Sequence, residues 1–238
     1  MIICLDSGNS RIKWGVHDGN AWLVQGAVAH ADVAELASLP ARWGRPERVM
    51  LANVAGVEAV QRIRQQLQAW APLFCDVQPV AERAGVTNLY QNPAQLGVDR
   101  WCALIGAHGL FPRDSIVVMA GTATTIDSLD AAGTFLGGMI LPGLDLMRRA
   151  LARDTAGLAY ADGHYAAQPR CTDDAIVTGC IEALAGAIER AWTRLNAGDA
   201  LCVLSGGNAE LIGKYLVIPH VLAHNLPLEG LRQLAAEP

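Results

Sequence analysis

The sequence predicts an α/β protein made of two similar lobes. Strand-like apolar runs alternate with amphipathic, helix-like segments along the whole chain. The segment Asp6–Ser10 follows one such run and leads into a hairpin, and the similar segment Met119–Ala123 does the same 113 residues later. Because this offset is close to half of the 238 residues, we interpret it as an internal duplication, with lobes 1–113 and 114–238. A chance similarity of two glycine-containing loops is the alternative.

The composition indicates a folded protein and excludes several classes. A hydrophobic content of 52% and a charged content of 17% are too apolar for a disordered chain. A net charge of −5, without a run of Lys or Arg, argues against a nucleic-acid partner. No apolar run reaches the roughly 18 residues of a membrane-spanning helix, and no signal-peptide pattern follows Met1. The six cysteines form no CxxC pair, so we expect reduced thiols in a cytoplasmic protein.

The first half is predicted to open with a β-hairpin. Apolar runs bounded by turn residues predict strands, and Asp18–Gly19 is a dipeptide typical of hairpin turns. Val57, Ile63 and Trp70 recur at helical spacing, and Pro93 suits the first turn of a helix. In order, the predicted elements are strands at Ile2–Asp6, Arg11–His17 and Ala21–Gln25, a helix at Asp32–Leu39, a strand at Arg48–Ala52, a helix at Val57–Trp70, a strand at Leu73–Val77 and a helix from Asn92 to Leu110.

The second half is predicted to repeat the hairpin and to continue with helices. A strongly β-forming apolar run begins it, and the turn around Asp130–Gly133 separates two further strands. The predicted elements are strands at Ser115–Ala120, Thr124–Leu129 and Thr134–Leu141, helices at Leu144–Ala152 and Asp173–Asn196, a strand at Ala200–Leu204 and a terminal helix from about Pro227.

Two glycine-containing loops, one in each predicted lobe, are candidates for phosphate binding. The first glycine loop, Asp6–Lys13, adds an acid that can hold Mg²⁺ through water and two basic side chains that can neutralise phosphate charge. The second glycine loop, Met119–Thr125, carries Gly121 and Thr122. Loop tips of small residues expose backbone N–H groups to an anion. The alternative is a pair of tight turns whose Gly and Asn residues only supply positive φ, but the pairing of two such loops favours phosphate binding.

The segment Gly97-Val98-Asp99-Arg100 is a candidate for the chemical step. It lies in the first turns of the predicted helix Asn92–Leu110, whose apolar face carries Trp101 and Leu104. Asp99 and Arg100 fall off that face, and we expect them to face a cleft between the lobes. A carboxylate near a helix N-terminus is stabilised as the anion, which is the form that a general base needs. A simple favourable interaction with the helix dipole is the alternative for Asp99.

Three further features are weaker candidates. The small-residue loop Ser205–Ala209 lies between a strand and a helix and could contact an adenine ring, although Asn208 near a helix N-cap explains it equally well. Thr172 is typical of the N-cap of the long helix that follows. Tyr90 precedes the Gly97–Arg100 segment and has no distinctive pattern of its own.

Taken together and in this order, the motifs resemble the type III pantothenate kinases, also called the Bvg accessory factor family. The segments that carry the resemblance are Asp6-Ser-Gly-Asn-Ser, Gly97-Val-Asp-Arg, Gly121-Thr-Ala-Thr-Thr-Ile-Asp127 and Gly137-Gly-Met-Ile-Leu-Pro-Gly143. The resemblance covers essentially the whole chain. It implies an acetate-kinase/actin/Hsp70-type fold with two duplicated lobes and an interlobe nucleotide cleft. It also implies ATP-dependent phosphorylation of pantothenate, the first step toward coenzyme A, by a homodimer with active sites at the subunit interface.

The resemblance assigns roles to individual residues. It implies that the first ATP-phosphate loop consists of Asp6, Ser7, Gly8, Asn9, Ser10, Arg11, Ile12 and Lys13, with Asp6 in the outer shell of Mg²⁺. Gly121 and Thr122 correspond to the second phosphate loop. Gly97, Val98, Asp99 and Arg100 correspond to the pantothenate motif, with Asp99 as proton acceptor. Tyr90 and Thr172 correspond more loosely to further contacts with pantothenate.

One position departs from the family pattern. The second phosphate loop of the family usually begins with an Asp that binds a monovalent cation, K⁺ or NH₄⁺, whereas this chain has Met119 there. A cation requirement is therefore doubtful. Two other functions stay open at this point: a kinase of another small hydroxylated substrate, which need not keep Gly97–Arg100, and a non-catalytic regulatory protein on the same fold.

Overall fold

The computed structural model describes residues 1–195 and 197–237 and divides the chain into two compact units. The first unit contains Met1–Pro112, the short segment Ala132–Thr134 and the chain from Asn225 onward. The second unit contains Arg113–Ala131 and Phe135–His224. Among the described residues, no helix has the length and apolar character needed to cross a membrane.

The first unit is built on a five-stranded sheet with the strand order β3-β2-β1-β4-β5. The strands are β1 (Ile2–Ser7), β2 (Arg11–His17), β3 (Trp22–Ala29), β4 (Arg48–Asn53) and β5 (Phe74–Asp76). The first three strands are antiparallel, β4 is parallel to β1, and β5 is parallel to β4. Ile3, Cys4 and Leu5 are all fully buried, so both faces of β1 are covered.

Helical segments and a short hairpin complete this part of the first unit. They are a 3₁₀ segment (His30–Ser38), α1 (Leu39–Trp43), α2 (Val57–Gln66), a second 3₁₀ segment (Gln68–Leu73), β6 (Glu82–Arg83), β7 (Val86–Asn88), a third 3₁₀ segment (Pro93–Gln95) and α3 (Val98–Leu110). The core packs the strands against Leu36, Ile63 and Trp70, which are almost completely buried.

The second unit repeats the strand order of the first. It contains β8 (Ser115–Ala120), β9 (Ala123–Leu129), β10 (Thr134–Pro142), α4 (Leu144–Asp154), α5 (Thr172–Leu195), β11 (Leu201–Ser205), α6 (Ala209–Gly213) and β12 (His220–Leu222). Its strands lie in the order β10-β9-β8-β11-β12. Strands β8, β9 and β10 are antiparallel, and β11 and β12 follow in parallel. Order and directions match those of the first unit, so the predicted fold class of two duplicated α/β lobes is confirmed.

The terminal helix α7 (Leu226–Ala236) packs against α3 of the first unit. Glycines allow the two helices to approach closely: a Cβ on Gly230 would lie 1.9 Å from the Cys102 carbonyl oxygen, and one on Gly106 would lie 2.5 Å from the Leu226 carbonyl oxygen. The predicted lobe boundary puts this helix in the segment 114–238, whereas the helix packs within the first unit. The division into functional lobes after residue 113 stays a prediction. Pro238, the last residue of the predicted second lobe, lies outside the described residues.

The helix boundaries differ most from the prediction before α3. The predicted helix from Asn92 is a 3₁₀ turn at Pro93–Gln95, followed by two extended residues, Leu96 and Gly97, before α3 begins. Leu96 is 2% exposed, so insertion of its side chain into the core accompanies the break. The long helix was predicted to end at Asn196, a residue outside the described ones.

Candidate active site

The first glycine loop joins β1 to β2 and is anchored by its backbone. The Val54 N–H donates to the Ser7 carbonyl at 2.9 Å, and the Gly8 N–H donates to the Arg11 carbonyl at 3.1 Å. A side chain outside the loop, that of His30, also contacts it, with Nε2 2.7 Å from the Gly8 carbonyl oxygen. Residues 9–11 at the tip of the loop are exposed, while these contacts hold the base of the loop in place.

The glycines at the two loop tips are not required by the backbone of the protein itself. Neither Gly8 nor Gly121 has a positive φ, and Asn9 has none either, so these loops are not left-handed turns. A Cβ would meet nothing closer than 3.6 Å at Gly8 and 3.5 Å at Gly121. Gly206 differs, because its φ is +102° and a Cβ there would lie 2.5 Å from the Ala120 carbonyl oxygen. The open space at Gly8 and Gly121 leaves room for a ligand to approach the backbone.

Asp6 is a buried carboxyl group at the end of β1. Its Oδ1 is buried and has no hydrogen-bond partner, and Lys13 lies directly opposite it on β2. Burial raises the pKa of Asp6 from 3.8 to about 6, the charge of Lys13 lowers it, and the charge of Asp99 raises it further. A buried acceptor without a partner suits the water shell of a hydrated cation, which supplies O–H donors. Asp6 therefore fits the outer shell of Mg²⁺.

Asp99 is oriented by the first turn of α3. Its Oδ1 accepts the N–H of Arg100 at 2.9 Å. A Cβ on Gly97 would lie 2.6 Å from the same Oδ1, so glycine at position 97 makes room for this side-chain conformation. Asp99 is half-buried, and its charge acts on the carboxyl group of Asp6. The structure thus places the two predicted carboxylates, Asp6 and Asp99, close enough for their charges to interact.

Arg100 and Tyr90 are in direct contact. The Arg100 guanidinium donates to the Tyr90 hydroxyl at 2.9 Å and lies 5.7 Å from the centre of its ring. Arg100 is 4% exposed, and its position in a cleft between the lobes stays a prediction. Asn88 holds the backbone of Tyr90 in place. The Asn88 side chain accepts the Tyr90 N–H at 3.0 Å and donates to the Pro93 carbonyl at 3.2 Å. A polar pair on a rigid turn is suited to holding a small polar substrate.

The two apolar residues among the predicted site residues have buried side chains. Ile12 is fully buried in the core of the first unit, and Val98 is 6% exposed. The contribution of Ile12 to the glycine loop is therefore limited to its backbone. Thr172 belongs to the second unit, where it is the exposed first residue of α5.

The second glycine loop is bound to two neighbouring loops of the second unit. The Gly143 N–H donates to the Thr122 carbonyl at 2.9 Å, and the Asn208 N–H donates to the Ala120 carbonyl at 3.0 Å. Parallel pairing of β8 with β11 places Gly121 and the Ser205–Ala209 loop at the same sheet edge. Small residues of three loops are therefore gathered at one edge of this sheet.

Met119 lies near the end of β8, opposite Thr125 on β9 and beside Ser205 on β11. Thr125 Oγ1 is buried and has no hydrogen-bond partner. A thioether offers neither charge nor oxygen to an alkali cation, and it cannot accept a strong hydrogen bond from Thr125. The side chain at position 119 does not fit the monovalent-cation site that the family resemblance implies.

Sequence reasoning missed two residues of the first unit that orient predicted site residues, His30 and Asn88. Neither belongs to a recognisable motif. The register of β2 and β3 could have suggested His30, because Arg11 pairs with Ala29 and the next residue then lies beside the first glycine loop. The Asn88 contacts close a turn whose geometry no spacing in the sequence indicates.

Comparison with solved structures supports the fold. A Baf family protein from Campylobacter jejuni superposes with a TM-score of 0.64 at 20% identity, covering 98% of this chain and 96% of that chain. An activator of 2-hydroxyisocaproyl-CoA dehydratase from Clostridium difficile, solved with bound ADPNP, superposes with a TM-score of 0.55 at 12% identity, covering 98% and 92%. The fold is therefore shared with two-lobed proteins of the actin/Hsp70 type, as predicted.

Comparison with sequences establishes the family. The family model of type III pantothenate kinases matches residues 2–194. A type III pantothenate kinase from Dechloromonas aromatica is 66% identical over 235 residues, covering 99% of both chains. Another from Aromatoleum aromaticum is 50% identical, covering 100% of this chain and 98% of the relative. The chain thus belongs to the type III pantothenate kinase family and is an ATP-dependent kinase acting on pantothenate in coenzyme A biosynthesis.

Proposed function

We propose that Asp99 is the general base of the phosphoryl transfer and that Asp6 supports Mg²⁺ through water. The observation that carries this proposal is the unpartnered, buried Oδ1 of Asp6 beside the charges of Lys13 and Asp99. Asp6 is buried opposite Lys13, whereas Asp99 is half-buried and lies close in sequence to the Tyr90–Arg100 pair, in the same unit. The two acids therefore take different tasks.

We infer the following reaction for these residues. The primary hydroxyl of pantothenate attacks the γ-phosphorus of ATP, its proton passes to the Asp99 carboxylate, and the bond from phosphorus to the bridging oxygen breaks to release ADP. Asn9 at the tip of the first loop and Thr122 in the second loop contact phosphate oxygens, with Lys13 and Arg11 as counter-charges. Mg²⁺, when bound, neutralises phosphate charge. Tyr90, Arg100 and Thr172 hold pantothenate.

An ADP-release assay tests the proposal. With Mg-ATP, ADP should form at a rate that saturates with pantothenate and falls to background without it. Formation of 4'-phosphopantothenate is measured in parallel by mass spectrometry. ADP release that depends on another hydroxylated compound, and not on pantothenate, would show that the Tyr90–Arg100 pair serves a different acceptor.

We propose further that the protein is a cytoplasmic homodimer. The family resemblance supports dimerisation, and the apolar side chains of Leu136 and Ile140, at 50% and 65% exposure, leave unburied surface on β10. In sedimentation equilibrium, we expect a mass of about twice 25.2 kDa at assay concentration. A fully active species of monomer mass would contradict the dimer.

The two loop glycines are expected to tolerate alanine structurally but not functionally. Gly8→Ala should change the free energy of unfolding by less than about 0.5 kcal/mol, because the new Cβ meets only ordinary contacts. It should nevertheless raise the KM for ATP about tenfold by obstructing close approach to the backbone. Gly206→Ala is the contrasting variant and should lose about 2 kcal/mol or more through its positive φ and the Ala120 contact. Thermal unfolding and steady-state kinetics measure both effects, and a strongly destabilised Gly8→Ala would refute the ligand role of that space.

Met119 is expected to make the protein weakly dependent on K⁺ or NH₄⁺. Met119→Asp should introduce saturable activation by KCl, because a carboxylate supplies an oxygen ligand for K⁺. The carboxylate can also accept a hydrogen bond from the buried Thr125 hydroxyl, which has no hydrogen-bond partner. Met119→Leu, which also lacks oxygen, is the matched control and should behave like the unmodified protein. The measurement is the phosphorylation rate against KCl, with choline chloride keeping ionic strength constant. Steep K⁺ activation of the unmodified protein would show that other oxygens form the site.

A further inference from the structure

The side chain of His30 contacts the backbone of the first glycine loop from outside the loop. Its Nε2 lies 2.7 Å from the Gly8 carbonyl oxygen. Because a carbonyl oxygen only accepts, Nε2 must carry the proton and donate it. His30 follows the last residue of β3, and the pairing of Arg11 with Ala29 brings it beside the loop.

The contact fixes the orientation of one peptide group. The peptide that joins Gly8 to Asn9 is trans and planar, so its N–H points away from its C=O. With the carbonyl directed at His30, the Asn9 N–H is directed to the opposite side. Within the described part of the chain, this N–H has no hydrogen-bond partner, and Asn9 is exposed. The result is a free donor at a loop tip, held in one direction by a side chain.

We propose that His30 is a positioning residue for the nucleotide: it holds the Gly8 carbonyl so that the Asn9 amide is aimed at a phosphate oxygen of ATP. This role rests on the proposed function of the first glycine loop. Without His30, the Gly8–Asn9 peptide can rotate, and the Asn9 amide must be ordered again at each binding event. The loss is then specific for the nucleotide, because His30 touches neither Asp99 nor the Tyr90–Arg100 pair.

Three variants test the role. His30→Ala removes the donor. His30→Gln keeps an amide donor at similar reach. His220→Ala is the matched control, because His220 Nδ1 makes a comparable contact of 3.0 Å with the Ile218 carbonyl, away from the first glycine loop. The readouts are the affinity for a Mg-bound non-hydrolysable ATP analogue by calorimetry, the KM values for ATP and pantothenate, and the thermal midpoint.

For His30→Ala we expect a roughly threefold to tenfold weaker affinity for the analogue and the same rise in the KM for ATP, the range expected for one hydrogen bond. The KM for pantothenate should stay within about twofold. His30→Gln should recover at least half of the loss on a logarithmic scale, and His220→Ala should bind normally. Equal losses for both substrates, or an unchanged affinity for the analogue, overturn the proposal.

If His30→Ala does not fold, the comparison of His30→Gln with the shorter His30→Asn carries the same test. Tight binding of the analogue by the unmodified protein without phosphorylation of pantothenate would instead contradict the proposed function. A failure of the proposed role of His30 and a failure of the proposed function therefore give different experimental results.

Discussion

Asp99→Asn is expected to lower kcat for pantothenate phosphorylation by at least about 100-fold while preserving the fold. An amide cannot accept the hydroxyl proton. The asparagine oxygen can still accept the Arg100 N–H, which Asp99 accepts at 2.9 Å, so the start of α3 keeps its hydrogen bond. The KM for ATP should change little, because the phosphates are bound by other groups. Single-turnover kinetics with saturating substrates measure the chemical step directly.

The control for Asp99 is an acid in an equivalent position without a role in the site. Glu58 is exposed in the first turn of α2, in the same unit, and Glu58→Gln removes the same helix-dipole interaction. It should leave kcat unchanged and cost at most about 1 kcal/mol of stability. If Asp99→Asn behaves like Glu58→Gln, Asp99 is a dipole complement and not the base.

Asp6→Asn is expected to weaken Mg-ATP binding more than tenfold and at the same time to stabilise the ligand-free protein. The pKa of Asp6 is raised from 3.8 to about 6, so folding favours its protonated form. The unfavourable contribution of the ionised Asp6 is absent below about pH 4, grows between about pH 4 and pH 6, and is complete above about pH 6. The difference corresponds to at most about 3 kcal/mol at pH 8, because one pKa unit is worth about 1.36 kcal/mol.

Denaturant unfolding at several pH values, without Mg²⁺ or nucleotide, tests this prediction. Asp6→Asn should be more stable than the unmodified protein at pH 8, and the two should converge near pH 4. Saturating Mg-ATP should narrow this difference at pH 8, because the unmodified protein binds Mg-ATP more tightly and gains more binding energy. A variant that is less stable at every pH would mean that the buried carboxylate has partners that offset its charge.

The duplicated sheets could be predicted because their signals are local. Apolar runs such as Ile2–Leu5 and Ser115–Ala120 are bounded by turn residues, and the repeated loops fix the correspondence of the two halves. The break at Leu96–Gly97 was not predicted, because helical spacing continues across it and the inward position of Leu96 depends on the folded core. A pattern in sequence reports on neighbours along the chain more reliably than on the packing partner of a segment.

The candidate site also combines local motifs, which the sequence shows, with contacts between residues that are distant in sequence, which it does not show. The first glycine loop and the Gly97–Arg100 segment are recognisable as short motifs. The contact of Arg100 with Tyr90 spans ten residues, and that of His30 with Gly8 spans twenty-two. Such contacts depend on strand register and on the path of a turn, so they become visible only in the folded chain. The burial of Arg100 also depends on the folded chain.

The packing of α7 on α3 gives the protein a particular order of assembly during synthesis. The helix that covers α3 leaves the ribosome after the whole of the second unit, so the first unit cannot reach its final packing until the second unit has been synthesised. A nascent chain that ends after residue 112 exposes the glycine face of α3, including Gly106, to solvent and to other chains. The second unit, whose residues lie between these two parts in sequence, is an insertion into the first. Premature termination anywhere before Asn225 therefore damages the unit that was synthesised first.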